Sequence, residues 1–230
     1  MKFTWMKWSA LPVAVLMVGS VAMAQDQSSS GSQSSGQSGS SSTPAAPATT
    51  PAPATKPTIA QRKENQQDRI AQGVKSGQLT AGETANLETK EAAINGETKA
   101  DRAANGGKLT SAEKTQINQQ QNQMSKQIYD DKHNAAKQNY GNSEVGQRQK
   151  NQQQRIAQGI KSGQLTAGET AKLENQQKGI NQQVKADRAA NGGKLTSGEK
   201  QQVNKEQNAA SKNIYNKKHN AKTQAKPKSK

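Results

Sequence analysis

Large apolar residues are sparse along this chain, and where they occur their spacing is helical. Ile70 and Val74 stand four apart, Leu87 and Ile94 seven apart, and Ile117, Met124 and Ile128 are separated by seven and four. The pattern returns at Leu173, Ile180 and Val184, and again at Val203, Ala210 and Ile214. Such spacings place side chains on one stripe of a helix, so each run predicts an amphipathic helix. Between the stripes stand Ser76-Gly77-Gln78-Leu79-Thr80, with Glu83 three residues on, and Gly107-Lys108-Leu109-Thr110, with Glu113 three residues on. In Thr-x-x-Glu the Thr hydroxyl accepts from the Glu amide and the Glu side chain reaches back, which starts a helix. A Gly just before suits the end of the preceding helix. This stop, turn and start recurs at Thr166/Glu169 and Thr196/Glu199. The expected fold is therefore all-α, two tandem three-helix units running up-down-up. Leu79 and Leu109, at the turns, are placed to plug the bundle ends.

The two units are copies of one another. Arg69-Ile70-Ala71-Gln72-Gly73 returns as Arg155-Ile156-Ala157-Gln158-Gly159, an offset of 86 residues that then holds without a gap. Lys75 to Ala85 matches Lys161 to Ala171, Lys99 to Ser111 matches Lys185 to Ser197, and Lys132-His133-Asn134 matches Lys218-His219-Asn220. Such self-similarity marks a duplicated structural unit. It sets unit 1 at 58–142, unit 2 at 143–224 and a basic tail at 225–230. With few large apolar residues in either copy the cores would be thin. That predicts marginal stability, or dependence on a partner or on the other copy.

Ahead of the body the character changes. Lys2 and Lys7 precede an apolar stretch from Trp8 to Val21, and Ala22-Met23-Ala24 ends it. A basic start, a short apolar core and an A-x-A end read as a secretory signal peptide over residues 1–24, and the expected location is periplasmic or extracellular. The apolar run is short for a bilayer and Pro12 interrupts it, so no membrane span is expected in the mature chain. No Cys follows, which excludes a lipoprotein anchor. Residues 25–57 are low-complexity, first Ser, Gly and Gln, then Pro, Ala and Thr, and predict a flexible to extended linker.

Removal of the leader takes both Trp and the only Phe, leaving Tyr129, Tyr140 and Tyr215 as the aromatics. Two isolated His, no Cys and no Ser in a nucleophile turn assemble no catalytic triad, and the expectation is a protein that is not an enzyme. Without Trp or Phe for base stacking, sequence-specific nucleic-acid binding is not expected. The formal net charge is +16. It is uneven: residues 59–142 carry 12 basic and 10 acidic side chains, residues 143–230 carry 18 and 6. This asymmetry suggests attraction to a polyanion such as lipopolysaccharide, envelope phosphates or extracellular DNA. The candidate residues are Lys212, Lys217, Lys218, Lys222, Lys226, Lys228 and Lys230. The alternative is a solvated, solubilising surface.

A cation site is the other candidate. Gly, an aliphatic residue, Thr and Glu at these spacings also form the second half of an EF-hand loop, making Glu83, Glu113, Glu169 and Glu199 calcium candidates. The first half of that loop wants carboxylates or amides, yet Arg102, Ala104 and Gly106 stand there in one turn and Gln72, Val74 and Ser76 in the other. The capping box accounts for the same Thr and Glu without metal, and no cofactor is expected. Tyr129 with His133, and Tyr215 with His219, share a helix face at four-residue spacing. Asp130 and Asp131 beside His133 become Asn216 and Lys217 in the second copy, which favours packing near a helix end over metal ligation.

The string of Ser76 to Glu83, Gly107 to Glu113, and Ser125 through Ile128-Tyr129 to Lys132-His133-Asn134 resembles a group of bacterial exported proteins of unassigned function. The second copy carries it at Ser162 to Glu169, Gly193 to Glu199 and Ser211 to Asn220. The resemblance spans nearly the whole body and implies no particular activity. The resulting expectation is a non-catalytic exported helical-repeat protein with a structural or interaction role in the cell envelope. Its partner would be a protein or an anionic envelope component, and its oligomeric state is left open. A polyanion binder acting through the basic second repeat, and a weak calcium binder, are the alternatives.

Overall fold

The computed structural model describes residues 56–224. The expected signal peptide, residues 25–55 of the linker and the basic tail at 225–230 lie outside the described residues. Within the described residues the chain is helical: α1 (Ile59–Ser76), α2 (Ala81–Ala104), α3 (Ser111–His133), α4 (Glu144–Ser162), α5 (Ala167–Ala190) and α6 (Ser197–Lys218). This is the pair of three-helix units that the apolar spacing predicts. No helix among the described residues is long and apolar enough to cross a membrane.

The helices begin where the Thr-x-x-Glu signals stand. Thr80, Thr110, Thr166 and Thr196 each cap a helix, accepting from the Glu amide while the Glu side chain accepts from the Thr amide. Thr58 and Gln61 form the same reciprocal box on α1, while Ser143 caps α4 by accepting from the Gly146 amide. α1 and α4 stop at Gly77 and Gly163, whose φ angles of 73° and 74° lie in the left-handed region that glycine adopts at no steric cost. Gly73 serves a different need. A Cβ there would lie 2.6 Å from Leu79 Cγ, so the missing side chain lets the turn leucine fold back onto α1. Gly159 gives Leu165 the same room.

Within each copy the third helix packs on both others, α3 on α1 and α2, and α6 on α4 and α5. The copies then pack against each other through equivalent helices, α2 on α5 and α1 on α4. Ile70, Val74, Leu79, Leu87, Ile117, Met124 and Ile128 of the first copy share one apolar cluster with Ile156, Ile160, Leu165, Leu173 and Ile214 of the second. Val145, Ile180, Val184, Val203 and Ala210 form a smaller cluster within the second copy. Neither copy has the apolar material for a sizeable core, and fusing the two buries more of it.

Polar side chains complete the interior. Gln66 Nε2 donates to the Gln121 carbonyl at 2.6 Å and to Ser125 Oγ at 2.8 Å, and Gln152 repeats both bonds with Gln207 and Ser211. Arg69 and Arg155 donate to the same serines at 2.9 Å. Asn134 Nδ2 donates to Glu83 Oε1 at 2.6 Å and Asn220 Nδ2 to Glu169 Oε1 at 2.6 Å, closing the chain after the third helix onto the first turn. The repeated Arg-Ile-Ala-Gln-Gly, Ser-x-x-Ile-Tyr and Lys-His-Asn strings are thus the interlocking parts of one unit.

Candidate functional site

Three helix ends meet at the same corner of each copy. In the first, the N-terminus of α1 lies beside the last turn of α2 and the first turn of α3, enclosing a recess of about 620 Å³. Gly106 and Gly107, at φ 60° and 87°, turn the chain there, Leu109 is buried as the anchor and Thr110 starts α3. Arg102, Lys108 and Lys114 line this recess together with Lys56 and Arg62, and no carboxylate is in the lining. In the second copy a recess of about 540 Å³ repeats the arrangement with Arg188, Lys194 and Lys200, and Glu144 is its one acidic residue. Asn118 and Asn204 add an amide to each.

Two of the arginines are held in place. Arg62 Nη1 donates to Asn122 Oδ1 at 2.9 Å, and Arg188 Nη2 donates to Ser143 Oγ at 2.9 Å. The ammonium groups of Lys108, Lys114, Lys194 and Lys200 have no hydrogen bond or ion pair within the described residues, and all four lysines are exposed. Basic side chains converging on a recess with no carboxylate in the first copy and one in the second create a local positive potential that favours an anionic group.

The lysines singled out from sequence lie elsewhere. Lys212, Lys217 and Lys218 are on the last turns of α6, and Lys222 follows it. Lys218 Nζ donates to Gln158 Oε1 at 3.2 Å, and Lys217 lies near enough to Glu169 to act on its charge. Lys226, Lys228 and Lys230 lie outside the described residues. Charge totals pointed to the second copy, whereas the recess exists in both. Arg102, Lys108 and Lys114, with Arg188, Lys194 and Lys200, were missed because Gly-Gly-Lys-Leu-Thr was legible as a turn. The available signal was the retention of three basic residues at an 86-residue offset.

The four candidate calcium carboxylates are engaged in caps. Glu113 Oε2 accepts from the Thr110 amide at 2.7 Å and Oε1 from Asn105 Nδ2 at 2.7 Å, and these bonds hold its carboxyl below the usual range. Glu199 is held low in the same way by Thr196 and Asn191. Burial pushes Glu169 up, but its bonds from Asn220 and Thr166 outweigh that and hold it low. Glu83 accepts from Thr80 at 2.8 Å and from Asn134. Among the described residues no group of three or more His, Asp and Glu converges. Tyr129 stacks on His133 with ring centroids 4.1 Å apart, and Tyr215 on His219 at 4.2 Å. Both tyrosines are about 60% exposed, so the pairs pack on themselves rather than on the core.

Three buried carboxylates were not singled out from sequence: Glu88, Glu91 and Glu174. Glu88 and Glu174 occupy equivalent places on α2 and α5, and both have no exposed surface. Burial pushes each up to about 8. Glu91, also buried, is pushed up to about 7 by burial, with the Lys63 charge pulling the other way, and neither of its carboxylate oxygens has a hydrogen-bond partner. No family model, no curated protein and no solved structure matches this chain.

Proposed function

We propose that this protein is a non-catalytic, exported helical-repeat protein that holds an anionic polymer of the cell envelope through the two basic recesses. The observation that carries this reading is the duplicated, exposed lysine pair at the three-helix corner, Lys108 with Lys114 and Lys194 with Lys200, beside Arg102 and Arg188. The recesses are open to solvent, which suits repeated charged groups along a chain better than one enclosed small molecule. Two sites on one chain also raise avidity without new contacts, provided the polymer spans both. The lysines of α6 and the basic tail would add non-specific attraction. The signal peptide and linker fit a role outside the cytoplasm.

Retention of the full chain on immobilised heparin tests the reading. Changing Lys108, Lys114, Lys194 and Lys200 to Glu is expected to lower the eluting salt concentration well below that of a control in which the exposed Lys99, Lys178, Lys185 and Lys205 become Glu. Equal elution of the two variants would reduce binding to net charge and overturn the assignment to the recesses.

A further inference from the structure

Glu88 on α2 faces α5, and Glu174, its counterpart 86 residues on, stands on α5. Each has one carboxylate oxygen accepting from a buried glutamine: Gln67 Nε2 to Glu88 Oε2 at 3.2 Å, and Gln153 Nε2 to Glu174 Oε2 at 2.7 Å. The other oxygen, Oε1, is buried in both and has no hydrogen-bond partner. Two ionised carboxylates in that setting would be desolvated, mutually repelled and supplied with one neutral donor each. The cations available are few. The groups acting on Glu88 are Gln67 and Lys63 from α1, Glu91 from its own helix and Glu174 from α5. Around Glu174 stand Gln153 from α4 and Tyr140 from the segment between α3 and α4, whose hydroxyl is buried without a partner and whose proton Glu174 helps to hold. The second copy has Gln149 and Gln177 where the first has Lys63 and Glu91, so no lysine matches Glu174.

We propose that the face between the two copies is a proton-binding site: with Glu88 and Glu174 both protonated, α2 and α5 are locked together, and loss of those protons releases one copy from the other. A protonated carboxyl turns the idle oxygen into a donor, so each acid can both give and accept within the layer. The sign follows from linkage. A carboxyl whose proton is held more tightly in the folded state stabilises that state fully at pH below its unfolded range. It loses that contribution as pH rises toward its folded value of about 8. Proton occupancy also makes the closed form more cationic than its formal charge. This proposal does not rest on the binding function of the recesses.

The chain has no cysteine, so spin labels can be placed on Asn86→Cys and Lys172→Cys, on exposed positions of α2 and α5. The expected result is a single narrow distance distribution at about pH 5.5 that broadens and lengthens by about pH 9. In the added Glu88→Gln, Glu174→Gln background it stays narrow throughout. An unchanged distribution across that range in the parent chain would overturn the proposal, whether or not the Gln variant folds. So would the absence of a protonated-carboxyl infrared band from the parent chain at neutral pH.

Discussion

Leu165→Ala probes whether the two copies stand or fall together. Leu165 has no exposed surface, lies against Gly159 and belongs to the cluster that also holds Ile70, Leu79 and Leu87 of the other copy. Truncating a fully buried leucine costs about 2–5 kcal/mol, depending on how far the cavity collapses. For a body of this size that is a fall of about 4–20 °C in Tm. The close approach at Gly159 limits collapse from that side and puts the expected value in the upper half. Because the core crosses the interface, the loss should be felt by both copies. A circular dichroism melt should stay a single transition, and amide exchange at Ile70 and Leu87 in the first copy should accelerate with that at Ile156 and Leu173 in the second. A biphasic melt in which first-copy amides keep their parent protection would show independent cores and refute the reasoning.

Two further outcomes follow from the polar interior. Lys63→Gln alone leaves Glu91 buried without its nearest cation, so stability near pH 8 should fall, while Lys63→Gln with Glu91→Gln copies the second unit's Gln149 and Gln177 and should recover it. A double-mutant cycle from urea melts reads this, and additive losses would contradict it. Millimolar calcium should leave Tm equal to that in chelator, because Glu83, Glu113, Glu169 and Glu199 already serve helix caps. A clear rise would mean that the native state binds the ion.

Much of this architecture was legible in the sequence because a helix announces itself locally. The four- and seven-residue stripes gave Ile70, Leu87, Ile117, Ile128 and their counterparts as core, and Thr-x-x-Glu marked four helix starts. The α1 cap at Thr58 was missed because Gln61 replaces Glu and proline-rich linker runs up to it. How the copies meet was not legible, since apolar spacing marks the buried stripe of a helix and not which helix of the other copy covers it. Glu88 follows Leu87, and with Glu91 and Ile94 continues a helical spacing, yet a glutamate on a stripe reads as solvent-facing until a second helix covers it. Gln66, Gln67, Gln152 and Gln153 were hidden the same way in a glutamine-rich chain. The basic recess needed three helix ends from positions about 50 residues apart, a proximity that composition and charge totals do not carry.

The proposed binding role is tested most directly by nuclear magnetic resonance mapping of a short polyphosphate onto the isotope-labelled full chain. The account predicts saturable shifts at the amides of Gly107, Lys108 and Lys114 and, in parallel, at Gly193, Lys194 and Lys200. Shifts confined to α6 and the basic tail, with both recesses silent, would contradict it.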